Sequence, residues 1–227
     1  MKKYFLLLCS LVGFNSFAQD NTVAFANFEK YEAENKVLPA PNPTENRVVF
    51  MGNSITEGWK NMHPDFFEEN PYIDRGISGQ TTSQMLLRFR RDVIDLQPKV
   101  VTFLAGINDI AENTGPIALE DVYGNIISMV ELAKANNIIP IICSTLPANH
   151  FPWRERINPT EKVIELNQML KAYADKHQIV YVDYYTAMVD DKKGLSKELA
   201  SDGVHPTSKG YDIMEPMIKE AIDKVLK

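Results

Sequence analysis

From Arg47 onward, short unbroken apolar runs alternate with longer stretches of helical spacing, and this alternation limits the possible folds more than any other feature. Val48-Val49-Phe50-Met51 ends at Gly52, Tyr72-Ile73 leads towards Gly76, and Val100 to Leu104 ends near Gly106. Ile138 to Cys143 and Ile179 to Val182 are two further runs. Between them, Thr82 to Leu96 places Met85, Leu86, Phe89, Val93 and Leu96 at helical intervals, with Pro98 as its stop. Leu119 to Ala135 does the same with Val122, Ile126, Met129, Val130 and Ala133. Thr160 to His177 and Ser208 to Leu226 are further helices, the second despite Pro216. Strands without polar alternation are buried on both faces, and a helix between successive strands allows them to run parallel. The expected fold class is α/β: a three-layer α/β/α sandwich around a parallel sheet of about five strands. Ligands of such sheets sit beyond the carboxyl ends of the strands, so the loops after the strands are the places to look for chemistry.

A chain of 227 residues with 44% hydrophobic and 24% charged residues can bury a sizeable core, which excludes a disordered chain or a collagen. With 24 Lys+Arg against 30 Asp+Glu it has a net charge of −6 and no general attraction to phosphate backbones, so nucleic acid is not an expected partner. Two cysteines supply neither a zinc framework nor a disulfide scaffold. Residues 1–18 have the pattern of a secretory signal peptide: Lys2 and Lys3, the apolar stretch Tyr4 to Phe14, and Ser16 and Ala18 before Gln19. The apolar stretch is well short of the roughly 20 residues that cross a bilayer. Leu6-Leu7-Leu8 ahead of Cys9 does not suit a lipoprotein anchor. The expected address is periplasmic or secreted, with Cys143 the single cysteine left after cleavage and no stable membrane insertion. Residues 19–46 form a preamble. Val23 to Asn35 is expected to be a short helix with Phe25, Phe28 and Tyr31 on one side, packed on the main domain, and Pro39, Pro41 and Pro43 an extended connector. The main domain is then 47–227.

The loops after the strands hold a constellation. Gly52-Asn53-Ser54-Ile55-Thr56 follows the first run and Gly76-Ile77-Ser78-Gly79-Gln80-Thr81 the second. Gly106-Ile107-Asn108-Asp109 follows the third, and Asp202-Gly203-Val204-His205-Pro206 precedes the last helix. Together and in this order these blocks resemble the SGNH/GDSL hydrolase superfamily of esterases and lipases, whose Ser, Gly, Asn and His fall here on Ser54, Gly79, Asn108 and His205. The segments G-N-S-I-T-E-G-W, R-G-I-S-G-Q-T-T and D-G-V-H-P are most similar to its platelet-activating-factor acetylhydrolase-like esterase branch. That likeness implies a flavodoxin-like SGNH fold and short acyl groups, often acetyl, with a carbohydrate as a frequent acceptor in exported bacterial members.

The chemistry of each block agrees with the resemblance. A serine hydroxyl attacks well only when a base takes its proton, and His205 is the candidate base for Ser54. Asp202, three residues earlier, can hold the imidazole in one tautomer and stabilise its cation. The resemblance implies three oxyanion donors: the backbone N–H groups of Ser54 and Gly79 and the side-chain amide of Asn108. Each block also has a plainer reading. Ser54 could be a helix N-cap, Gly79 and Asn108 turn residues, and Asp202 to Pro206 the start of a capped helix. Asp109 is assigned to local loop hydrogen bonding, and His63, His150 and His177 to surface or packing roles. Asn53 stands where the G-D-S form has an acid, which bears on how the serine loop is held and not on the base. The segment lacks the second glycine of the G-x-S-x-G elbow. No ligand spacing for a metal and no phosphate loop is present, so neither metal nor cofactor is expected.

Ser144 to Pro159, a long loop after the fourth run, contains Phe151, Trp153, Arg154 and Arg156. Aromatic faces with flanking donors suit a sugar ring, which makes Trp153, Phe151 and Arg154 candidate substrate contacts; the alternative is that the two aromatics only pin the loop. The expected function is a serine esterase acting on short acyl, chiefly acetyl, esters through an acyl-enzyme, its partner a small-molecule or glycan ester. The rivals are a lysophospholipase or thioesterase acting on lipid acyl esters, and a catalytically inactive glycan-binding module.

Overall fold

The computed structural model describes residues 24–227, so residues 1–23, including the signal-peptide pattern and Val23, lie outside it. At its centre is a five-stranded parallel sheet in the order β2-β1-β3-β4-β5, formed by β1 (Val48–Gly52), β2 (Tyr72–Gly76), β3 (Val100–Leu104), β4 (Ile139–Cys143) and β5 (Val180–Val182). β1 pairs Val48 with Tyr72 on one side and with Val100 on the other. All five strands start within a residue of the apolar runs, and β2 continues past its run through Asp74 and Arg75 to Gly76. Both are buried; Arg75 donates to Asn35 Oδ1 and Asp74 Oδ1 accepts from Gly76 N, while Asp74 Oδ2 has no partner, and none of this is visible to an apolar-run criterion.

The order reverses beside β1: the chain moves outward to β2 and then returns to the other side of β1 as β3. Loops leaving β1 and β3 therefore diverge and open a crevice, the usual ligand position in doubly wound sheets. β1 and β3 are buried along their whole length. On one face Phe50 meets the rings of Trp59, Phe66, Phe67 and Tyr72 at centroid separations of 5.2–5.9 Å. On another side of the core Phe103 stacks on Phe89 at 5.8 Å. Such pairs add about 0.5–1.5 kcal/mol each beyond the area they bury.

The helices are α1 (Glu32–Val37), α2 (Ser54–Met62), α3 (Pro64–Glu68), α4 (Thr82–Asp92), α5 (Ile107–Ile110), α6 (Leu119–Ala135), α7 (Thr160–His177), α8 (Tyr184–Met188) and α9 (Ser208–Val225). The long amphipathic helices α6, α7 and α9 match their sequence patterns. The helix expected over Thr82 to Leu96 ends at Asp92; a 3-10 turn over Ile94–Leu96 follows, and Gln97 is left-handed at φ +52°. The break turns Val93 and Leu96 into the core together.

The N-terminal expectation is corrected in its shape. Residues 24–26 make a helical turn, Asn27 at φ +52° interrupts it, and α1 begins only at Glu32. Of the expected apolar side only Tyr31 is buried, while Phe25 is 40% exposed. The segment does pack on the domain, through Tyr31 and polar contacts. Its Pro-rich connector is held by Arg47, whose guanidinium donates to Pro39 O at 2.9 Å and to Leu96 O at 2.8 Å.

Candidate active site

The site stands at the carboxyl ends of β1, β2 and β3. Asn53 sits at the start of α2 and its side chain accepts from Ile55 N at 3.1 Å, so Asn53 is the N-cap and Ser54 the first helical residue. The plainer reading of Ser54 as the cap is thereby removed. Gly52 permits this tight junction, since a Cβ there would lie 1.9 Å from Thr56 Oγ1. Trp59 and Tyr211 fasten α2 to α9: their rings stack at 5.3 Å and Tyr211 Oη donates to Ile55 O at 2.7 Å.

Asp202 and His205 approach from the other side, on the turn before α9. Ser54 Oγ lies 2.8 Å from His205 Nε2, and His205 Nδ1 lies 2.6 Å from Asp202 Oδ2. Asp202 Oδ1 accepts from the backbone N–H groups of Val204 at 2.9 Å and His205 at 2.8 Å. Partial burial would raise the Asp202 carboxyl, but hydrogen bonds from the His205 ring and from these two backbone groups outweigh it and hold the acid below its ordinary value. One carboxylate thus shapes the turn with one oxygen and orients the imidazole with the other. Ser54, His205 and Asp202 form a continuous hydroxyl–imidazole–carboxylate relay, an arrangement able to move a proton from the serine as it attacks.

Asn108 lies in α5 and is 3% exposed; its Nδ2 donates to Gln80 O at 3.0 Å. A primary amide nitrogen carries two hydrogens, so one remains for a developing oxyanion. Gly79 has φ +78°, a conformation that L side chains resist, and a Cβ there would meet nothing within 4 Å. Its glycine is required by backbone conformation, not by close approach of another part of the protein. Asn113 Nδ2 adds a bond to Gly79 O at 3.1 Å, joining the loops after β2 and β3.

Asp109 O accepts a local loop bond from Glu112 N at 2.9 Å, but its side chain reaches out of the loop. Both its carboxylate oxygens accept from Thr82 N at 3.0 Å, and Oδ1 accepts from Thr82 Oγ1 at 2.6 Å, which ties the loop after β3 to the start of α4. Burial pushes its pKa up to about 6 against the lowering effect of those bonds. Phe151 is fully buried and holds the loop in place, so it is not an accessible contact. Trp153 is 42% exposed, its ring 5.3 Å from that of Phe151 and 5.9 Å from the imidazole of His205. Arg154 is half-buried, with Nη2 3.4 Å from Glu112 O, and Arg156 pairs with Glu112 at 2.8 Å. Of the three candidate contacts, the fold brings Trp153 beside the relay, sets Arg154 against the loop after β3, and withdraws Phe151.

Three features escape sequence spacing. Glu57, one turn after Ser54, accepts from Ser78 N at 2.8 Å and from Lys30 at 2.6 Å; its i, i+3 relation to Ser54 is the available signal. Arg88 is fully buried and donates to Gly52 O, Arg75 O, Gln80 Oε1 and Asp92, binding the ends of β1 and β2 under the site. His63, expected in a surface or packing role, lies 2.7 Å from Glu215 Oε1 and 2.7 Å from Ser208 Oγ. Glu215 also accepts from Trp59 Nε1 at 3.0 Å, so this group ties α2 to α9. Among the described residues, no group of three or more His, Cys, Asp or Glu side chains could hold a metal ion, and no helix is long and apolar enough to cross a membrane.

This architecture has counterparts among known proteins. A GDSL-like lipase from Bacteroides thetaiotaomicron VPI-5482 superimposes with a TM-score of 0.87 at 54% identity, over 88% of this chain and 99% of that one. The isoamyl acetate-hydrolyzing esterase of Saccharomyces cerevisiae (strain ATCC 204508 / S288c) is 23% identical over 206 residues, 78% of this chain and 86% of the yeast protein. The uncharacterized lipoprotein YqeF of Bacillus subtilis (strain 168) is 28% identical over 168 residues, which make up 66% of this chain and 60% of that protein's length. The model of the GDSL-like Lipase/Acylhydrolase family matches residues 50–213, a span that takes in β1, all five strands of the sheet in part or whole, and the turn bearing His205. The chain belongs to that family of carboxylic ester hydrolases.

Proposed function

We propose that this protein is an exported serine acylhydrolase that removes short, acetyl-sized acyl groups from a carbohydrate. The observation that carries the reading is the Ser54–His205–Asp202 relay with the exposed Trp153 ring beside its imidazole. In this reading Ser54 Oγ attacks the ester carbonyl while His205 Nε2 takes the serine proton. The Ser54 and Gly79 N–H groups and the second Asn108 amide hydrogen receive the negative oxygen of the tetrahedral intermediate. His205 then gives the proton to the departing alcohol, which leaves acyl-Ser54. A water molecule, deprotonated by His205, attacks the acyl carbon; the acyl–Oγ bond breaks, His205 returns the proton to Ser54 Oγ, and the acyl group departs as its carboxylic acid.

The acceptor assignment rests on Trp153. A half-open indole face flanked by Arg154 suits a sugar ring, whereas a long acyl chain needs a continuous apolar groove. An acetyl-sized acyl group agrees with the resemblance to the platelet-activating-factor acetylhydrolase-like branch and with the acetate ester in the yeast relative's name. Export rests on the signal-peptide pattern of residues 1–18.

The test compares kcat/KM on acetyl, butyryl and octanoyl esters of one leaving group, and on an acetylated oligosaccharide. Wild type should prefer acetyl, and Ser54→Ala should lose nearly all turnover while keeping its fold. Trp153→Ala should lower kcat/KM on the oligosaccharide more than on the simple ester. A Ser54→Ala variant with wild-type turnover would overturn the mechanism. A rise towards octanoyl would overturn the acyl assignment in favour of lipid esters, and unchanged oligosaccharide turnover in Trp153→Ala would remove the sugar contact.

A further inference from the structure

The loop Gly76–Thr81, which presents Gly79, has little backbone bonding of its own. Ile77 N reaches Gly52 O at 3.3 Å and Gln80 N reaches Ile77 O at 3.2 Å, both at the long end of the normal range. Gly79 contributes no side chain, and its left-handed conformation needs support from outside. Asn113 supplies one bond, to Gly79 O from the loop after β3, and the N-terminal preamble supports the residues on either side.

Three contacts from this segment close on the loop. Tyr31 Oη donates to Gly76 O at the loop's first residue. Ala26 O accepts from Gln80 Nε2 at 2.9 Å, one residue beyond Gly79. Lys30 pairs with Glu57, whose other carboxylate oxygen holds Ser78 N, one residue before Gly79. The second contact extends to the side-chain donor of the site, because Asn108 Nδ2 is itself bonded to the carbonyl of Gln80.

We infer that residues 24–38 are a strap that positions the oxyanion donors, with Tyr31 and Lys30 acting as positioning residues for Gly79 and Asn108. This rests on the reading of Gly79 and Asn108 as oxyanion donors. Neither Tyr31 nor Lys30 has any bond to Ser54, His205 or Asp202; both act through Gly76 and Glu57. The strap has separate anchors away from the loop. Arg75 donates to Asn35 Oδ1 at 2.7 Å and lies 4.4 Å over the Tyr31 ring, and Asn35 donates to Asp92 at 2.8 Å. Removing the two loop contacts therefore leaves it docked.

Loss of an oxyanion donor costs about 10²–10³ in kcat, and a donor that is displaced but present costs a fraction of that. The Tyr31→Phe/Lys30→Met double variant should lose about 5- to 50-fold in kcat on p-nitrophenyl acetate, with KM within about twofold of wild type. Affinity for phenylboronic acid, which forms a tetrahedral adduct on the serine, should fall by a similar factor. Lys30→Arg should restore the Lys30 share, and Asn108→Ala should erase most of the strap's effect because the two act through one set of donors. A folded double variant with kcat and boronate affinity within twofold of wild type overturns the inference, as does a loss confined to KM. Should the double variant fail to fold, Lys30→Met alone decides at a threshold of about threefold in kcat, since that side chain is 40% exposed. Failure of the underlying catalytic reading is separately visible, as it would leave Ser54→Ala active.

Discussion

Asp202→Asn separates the shaping of the turn from the orientation of the base. Asp202 Oδ1 accepts from Val204 N and His205 N, and an amide oxygen can keep both bonds. Oδ2, 2.6 Å from His205 Nδ1, would become an NH₂ group. Two donors would then face one another unless the imidazole moves its proton to Nε2, the nitrogen that faces Ser54. In that tautomer Nε2 cannot accept the serine proton, and the charge that steadied the imidazolium is gone. A charge-assisted hydrogen bond contributes about 1.5–3 kcal/mol, roughly 10- to 100-fold in rate, and the wrong tautomer adds to it. In a closed serine-protease site the same change costs about 10⁴. Here the side chains of His205 and Asp202 are 41% and 38% exposed, so water replaces part of what is lost. The expected fall in kcat is therefore about 10²–10³, with Tm unchanged within a few degrees. Initial rates on p-nitrophenyl acetate, with thermal unfolding of the same samples, measure both. Retention of more than about a third of wild-type kcat would refute the orienting role of Asp202.

Other perturbations test the frame and the chemistry. Arg88→Met leaves Asp92 and the carbonyls of Gly52 and Arg75 without their buried donor, so it should destabilise the fold by about 3–5 kcal/mol, seen as a Tm drop of order 10 °C. A drop under about 2 °C would show that water replaces the guanidinium. Asp74 is 4% exposed with no partner for Oδ2, and burial pushes its pKa up to about 7 from 3.8. An acid raised in the folded state favours folding while protonated, so wild-type stability should fall as pH rises from about 4 to 7 through this group. Urea unfolding across that window should give a flatter profile for Asp74→Asn, and an identical slope would remove Asp74 as its source. Incubation with EDTA should leave esterase activity intact; loss restored by zinc would require a different mechanism.

How much of this was legible before folding follows from the kind of signal each feature leaves. Ser54 and His205 stand 151 positions apart, yet each occupies a local block whose residue types suit one step of acyl transfer. Helix and strand positions were equally legible where an apolar run was unbroken, as in β1 and β3, or where hydrophobic periodicity ran long, as in α6 and α7. It failed for short elements such as α3, α5 and α8, where one turn gives too few positions to show a period. It also failed for the preamble, where Asn27 takes a left-handed conformation that interrupts the regular spacing.

Residue order alone carries the alternation of buried strands and covering helices, the loops that bear the chemistry, and the local Asp202–His205 pairing three residues apart. Those depend on contacts within a few positions of the chain or on the two-sided burial of one strand. Tertiary structure decided what depends on distant segments meeting. It chose between Phe151 and Trp153, two aromatics in one loop, by burying the first and leaving the second beside His205. It gave Asp109 to Thr82, gave His63 to Glu215, and set Tyr31 and Ala26 on the loop of Gly79. A hydrogen bond between residues far apart in the chain leaves no periodicity and no fixed spacing, so its partner is named only when the sheet order brings the two loops together.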